Sequence, residues 1–107
     1  MISKQECINR ILANADTIMH DYGVRSLRLF GSVASDKQLE ASDVDVFVDM
    51  NSDIFQMIGL KDSLEELLGC QVDLIRKHQH NNAFLLIQIE KDGIDIISQA
   101  SPRMAYA

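Results

Sequence analysis

The segment Asp43-Val44-Asp45-Val46-Phe47-Val48-Asp49 follows the two-residue period of a β-strand. Val44, Val46 and Val48 fall on one face, and Asp43 and Asp45 share the opposite one. Two carboxylates therefore point the same way from a strand whose other face is built for a core. The rest of the chain must supply that core and a reason for the paired charges.

Upstream, Ser3-Lys4-Gln5-Glu6 reads as a capping box. Ile8, Ile11, Leu12, Ala15, Ile18, Met19 and Tyr22 then recur at helical spacing, which predicts one amphipathic helix ending near Gly23. Val24 to Phe30 reads as a strand with Leu27 and Leu29 on one face and Arg28 on the other, closed by Gly31. Residues 31–42, GSVASDKQLEAS, are small and polar, suited to a glycine turn and a short helical segment. Beyond the aspartate strand, Ser52 or Asp53 can cap a second long helix carrying Ile54, Met57, Ile58, Leu60, Leu64, Leu67 and Leu68, with Gly69 as its stop. Gln71 to Arg76 reads as a third strand, with Val72 and Leu74 on one face and Asp73 and Ile75 on the other. A helix over Asn82 to Glu90 and a short strand at Ile94 to Ile97 complete the order α-β-(α)-β-α-β-α-(β). The expected fold class is α/β (α+β), a small mixed sheet flanked by helices, with a single domain over 1–100 and a tail over 101–107.

Composition narrows the function classes. A chain of 107 residues that is 47% hydrophobic supports one compact core. No apolar run approaches the roughly 18 positions of a membrane span, and the N-terminus lacks signal-peptide organisation, so a soluble, cytoplasmic protein is expected. A net charge of -6 argues against stable nucleic-acid binding, which depends on clustered Lys and Arg. It allows a nucleotide held through divalent cations, or a basic protein partner. Cys7 and Cys70 form neither a disulfide framework nor a zinc pattern and are expected to be buried thiols.

If the second and third strands are neighbours, Asp73 joins Asp43 and Asp45 at one sheet edge. Three clustered carboxylates persist most naturally around divalent cations, and oxygen-only ligands favour Mg2+ or Mn2+ over zinc. Gly31 lets backbone approach a phosphate closely, and the Ser32 hydroxyl can donate to it. Carboxylates for metal and a turn for phosphate are the two halves of a triphosphate site.

These residues carry a resemblance. Gly31-Ser32, ten intervening residues and Asp43-Val44-Asp45 match the G-S-x10-D-x-D signature of the DNA polymerase β-like nucleotidyltransferase superfamily, and Val72-Asp73-Leu74-Ile75 looks like its third carboxylate strand. The chain is similar to the minimal nucleotidyltransferase (MNT) antitoxins that accompany HEPN ribonuclease toxins. The resemblance implies a polymerase β-like fold and AMP transfer from ATP to a tyrosine of the toxin, with which the chain would form a hetero-oligomer. It further implies two Mg2+ ions on Asp43, Asp45 and Asp73, with Asp73 also orienting or deprotonating the acceptor hydroxyl. Gly31, Ser32 and Ser42 would contact the nucleotide. The sequence departs from the pattern at Ser35-Asp36, where relatives often carry Arg-Gly, and Lys37 could partly substitute.

Other residues have plainer readings. Asp49 and Asp53 suit a strand end and a helix cap, His78 and His80 a polar connection, and Tyr106 the tail. Arg25 and Arg28 read most simply as exposed, with an acceptor or partner contact as the alternative, and Ser32 has no histidine base to make it a nucleophile. Two alternatives remain open on sequence alone: a catalytically silent module that covers the toxin, and a transferase acting on a small molecule.

Overall fold

Ser3 opens the first helix as its spacing to Glu6 predicts, its hydroxyl accepting the Glu6 N–H at 3.1 Å. The computed structural model, which describes residues 2–31, 44–78 and 80–98, divides the expected long helix into α1 (Lys4–Ala13) and α2 (Ala15–Tyr22). Asn14 makes the break. Its backbone N–H turns back to the carbonyls of Ile11 and Leu12, and its side-chain amide donates to the Arg10 carbonyl at 2.9 Å. A short polar side chain competing with the helical ladder is a recognised cause of kinks.

After Gly23, left-handed at φ 64, the chain enters β1 (Ser26–Phe30), later followed by β2 (Val44–Asp49). Asp53 caps α3 (Ile54–Leu68), accepting the N–H groups of Phe55 and Gln56, and Gly69 ends it at φ 71. β3 (Val72–Arg76), α4 (Ala83–Asp92, capped by Asn82) and β4 (Ile94–Ser98) follow. The strands form one mixed sheet in the order β3-β2-β1-β4, with β2 and β3 parallel and the other pairs antiparallel. The fold is therefore the mixed α/β arrangement expected, with helices on both faces.

The valine face carries the main core. Val44, Val46 and Val48 are fully buried there with Leu27 and Leu29, against Cys7 and Ile11 of α1, Ile18 of α2, and Leu60, Leu64 and Leu68 of α3. Each such side chain contributes roughly 1.5–3 kcal/mol relative to exposure. Between Leu27 and Arg28 the β1–β4 register shifts, which accommodates the adjacent Ile96 and Ile97 in this one core. The aspartate face is covered in part by α4, whose Ile89 closes a second cluster with Phe30 and Phe47.

Three expectations are corrected. Ile54 and Ile58 are more than half exposed, because the core-facing stripe of α3 runs through Leu60, Leu64 and Leu68 at four-residue spacing. Arg28 is half-buried rather than exposed, since the Gly93 carbonyl and Asp95 close over its guanidinium. Cys70 is also only half-buried, whereas Cys7 is fully enclosed. The short segment expected after Gly31 and the tail lie outside the described residues.

Candidate active site

Strand alternation and register together build the site. In the parallel β2–β3 pair, Asp45 stands opposite Asp73. Neighbouring strands lie roughly 4.8 Å apart, so the two residues sit side by side and project from the same face. On the other side of Asp45, the antiparallel register places Phe30 opposite it, and Gly31 follows directly. Asp45 is half-buried and Asp73 is exposed, so the pair opens to solvent at one edge of the aspartate face.

Gly31 fits this edge for a specific steric reason. Its φ of 75° lies in the left-handed region, and a Cβ added there would collide with Asp45 Oδ2 and stand 3.1 Å from its Cγ. The β1 turn thus brings bare backbone against the carboxylate of Asp45. Carboxylate and turn, predicted as the metal half and phosphate half of one site, are in contact.

Of the six candidate residues, Gly31, Asp45 and Asp73 are brought together. Ser32, Ser42 and Asp43 lie outside the described residues, as do Ser35, Asp36 and Lys37. Among the described residues, no three His, Cys, Asp or Glu side chains gather as a metal site. The two acidic residues set aside on sequence grounds have other partners: Asp49 pairs with Arg25 at 3.0 Å, and Asp53 caps α3. His78 and His80 belong to the β3–α4 connection, where the His80 N–H donates to His78 Nδ1 at 3.1 Å and the His78 N–H to Asn81 Oδ1 at 2.7 Å.

Glu65 is a supporting residue that sequence reasoning missed. From α3 its carboxylate accepts the N–H of Val72, the residue before Asp73, and the ammonium of Lys61, both at 3.0 Å. The Val72 N–H foremost, then Lys61, holds its carboxyl below the ordinary glutamate value. Glu65 thereby pins the start of β3 and the register that sets Asp73 beside Asp45. The only sequence signal was the i,i+4 spacing from Lys61, which any solvated helix face shows.

Comparisons with known proteins identify the family. Residues 8–101 match the family described as polymerase beta, nucleotidyltransferase. A Methanocaldococcus jannaschii protein, provisionally named a protein adenylyltransferase, is 38% identical over 92 residues, covering 83% of this chain and 94% of its own. Protein adenylyltransferase MntA of Thermococcus cleftensis is 34% identical over 79 residues, covering 72% of this chain and 80% of its own. A structure of a tri-AMPylated Shewanella oneidensis HEPN toxin in complex with MNT antitoxin contains a chain of like fold, with TM-score 0.62 and 20% identity, covering 97% of this chain and 80% of that one. No helix among the described residues is long and apolar enough to cross a membrane. The chain belongs to the polymerase beta nucleotidyltransferase family and is an enzyme of nucleotidyl transfer.

Proposed function

We propose that the chain is a magnesium-dependent protein adenylyltransferase that moves AMP from ATP to a tyrosine hydroxyl of a cognate HEPN toxin and so silences it. The observation that carries the reading is the register Asp45↔Asp73 with Gly31 packed on Asp45, which joins a carboxylate pair to a phosphate-type turn. Relatives named protein adenylyltransferases, and the fold shared with a complex of an MNT antitoxin and an AMPylated HEPN toxin, support the choice of acceptor.

The donor set is oxygen only, which fits Mg2+ or Mn2+. Asp45 and Asp73, with Asp43 two residues before Asp45, would hold two such ions, which when bound neutralise charge at the reacting phosphate. Gly31 backbone, the Ser32 hydroxyl and Ser42 bind the nucleotide and orient its phosphates. Asp73 orients the acceptor hydroxyl and takes its proton. The acceptor oxygen then forms a bond to the α-phosphorus, the bond from that phosphorus to the bridging oxygen breaks, and pyrophosphate leaves with the electron pair. No covalent enzyme intermediate is required. AMP on the toxin adds bulk and negative charge near its RNA-cleaving site, which opposes RNA binding.

Intact mass spectrometry of a candidate HEPN toxin, after incubation with this chain, ATP and magnesium, tests the reading. Adducts of AMP mass, lost with excess chelator or in Asp45→Ala, are expected. Absence of adducts, combined with toxin neutralisation by Asp45→Ala, would replace the enzyme by a silent covering module.

A further inference from the structure

The aspartate face holds a second concavity beyond the carboxylate edge. A cleft of about 630 Å3 opens between α4 and the sheet, its walls including Arg25, Arg28, Phe47, Asp49, Lys77 and Glu90. Phe47 and Asp49 follow Asp45 at two-residue steps on the same face of β2. At a strand rise of roughly 3.3 Å per residue, Phe47 stands about 7 Å and Asp49 about 13 Å from Asp45. The cleft therefore lies on the same sheet face as the carboxylate edge, separated from it by the buried Phe47 and the α4 contact that covers it.

Its charges are of both signs and only partly spent. Arg25 is held by Asp49 at 3.0 Å and Asn51 at 3.1 Å. Arg28 donates to the Gly93 carbonyl at 3.2 Å, and its Nε pairs with Asp95 at 3.3 Å. Lys77 and Glu90, both exposed, have no side-chain ion pair or hydrogen bond among the described residues. Phe47 and Ile89 give the cleft an apolar lining. A triphosphate would meet Asp49, Glu90 and Asp95 there, whereas a polypeptide offers donors, acceptors and apolar atoms to match all three kinds of surface.

We propose that this cleft docks a segment of the acceptor protein outside the one that carries the target hydroxyl, anchoring that protein beside the carboxylate edge. The inference rests on the reading that the acceptor is a protein, and it assigns Lys77 and Glu90 as residues that select it. Neither residue belongs to the catalytic edge, and both are exposed, so charge reversal leaves the fold intact.

The test is steady-state AMP transfer to the HEPN toxin that the wild type modifies, with acceptor and ATP each varied, for Lys77→Glu and Glu90→Lys. Thermal unfolding of each variant serves as the folding control. Each variant should raise the acceptor KM about tenfold while kcat and the ATP KM stay within about twofold, the signature of lost uniform binding. Acceptor KM values unchanged in both variants, with the wild type active, overturn the cleft alone. A rise confined to the ATP KM overturns it too, by giving the cleft to the nucleotide. Failure of the wild type to transfer AMP at all instead removes the protein-acceptor reading on which the inference stands.

Discussion

Gly31→Ala separates the two things the structure asks of that residue. Gly31 has φ 75° and Gly69 has φ 71°, so alanine meets similar backbone strain at either position. A non-glycine residue in the left-handed region costs roughly 1–2 kcal/mol. The surroundings differ: a Cβ at Gly69 has nothing within 4 Å, whereas one at Gly31 would overlap Asp45 Oδ2. Gly69→Ala therefore reports strain alone and Gly31→Ala strain plus displacement of a carboxylate. For a domain near this size, about 1 kcal/mol shifts Tm by roughly 4–8 °C. Gly69→Ala should lower Tm by roughly 4–16 °C and leave AMP transfer nearly unchanged. Gly31→Ala should lower it further and, on the role proposed for Asp45, reduce transfer about a hundredfold, since a misplacement of roughly 1 Å costs that much. Removing the carboxylate closes the cycle, because of the three atoms nearest the added Cβ only Asp45 Cβ, at 3.4 Å, then remains. In an Asp45→Ala background the stability cost of Gly31→Ala should fall to that of Gly69→Ala. Chemical denaturation of the four proteins measures this. Equal losses for Gly31→Ala and Gly69→Ala, with transfer retained in the former, would refute the claim that Gly31 is glycine because of Asp45.

Glu65→Ala should lower Tm and slow AMP transfer by loosening the start of β3, while Glu65→Gln, which can still accept the Val72 N–H, should retain more of both. Because the Glu65 carboxyl is held below its ordinary value of 4.5, its contribution to stability is present above that value and is lost as pH falls through the lowered folded value. Thermal melts between about pH 6 and pH 3 should show a shallower acid slope in Glu65→Gln than in the wild type, and identical slopes would remove Glu65 from that role. Burial pushes the Cys7 thiol up to about 11, with the nearby Cys70 adding to the rise. Iodoacetamide at pH 8 should label Cys70 in the folded protein and reach Cys7 only after denaturation, as peptide mass mapping would show.

Local sequence was sufficient wherever a residue answers to its immediate neighbours. Period-two alternation assigned Val44, Val46 and Val48 to the core and Asp45 to the opposite face, and did the same for Val72 and Asp73. The cap at Ser3 and the stop at Gly69 were equally legible, because each satisfies backbone groups within a few positions, whereas the structure chose Asp53 over Ser52 as the cap of α3. The pairing of Gly31-Ser32 with the aspartates was visible as a motif, though not the steric contact between Gly31 and Asp45 that the fold supplies.

Other features depended on what arrives from far along the chain. Alternation gives each strand a face but no neighbour, so the Asp45↔Asp73 register came from α3 returning β3 parallel to β2, with Glu65 fixing its first residue. The burial of Phe47 on the carboxylate side required α4 to cover it, and that of Arg28 required Gly93 and Asp95. Ile54 and Ile58 have helical spacing yet stay exposed, because a helix can turn only part of its apolar surface to one sheet. Sequence by itself thus determined which way Asp45 and Asp73 face and that Val44, Val46 and Val48 belong to the core. Only the tertiary structure decided which carboxylate stands beside which, since register is set by packing between segments that the chain brings together from a distance.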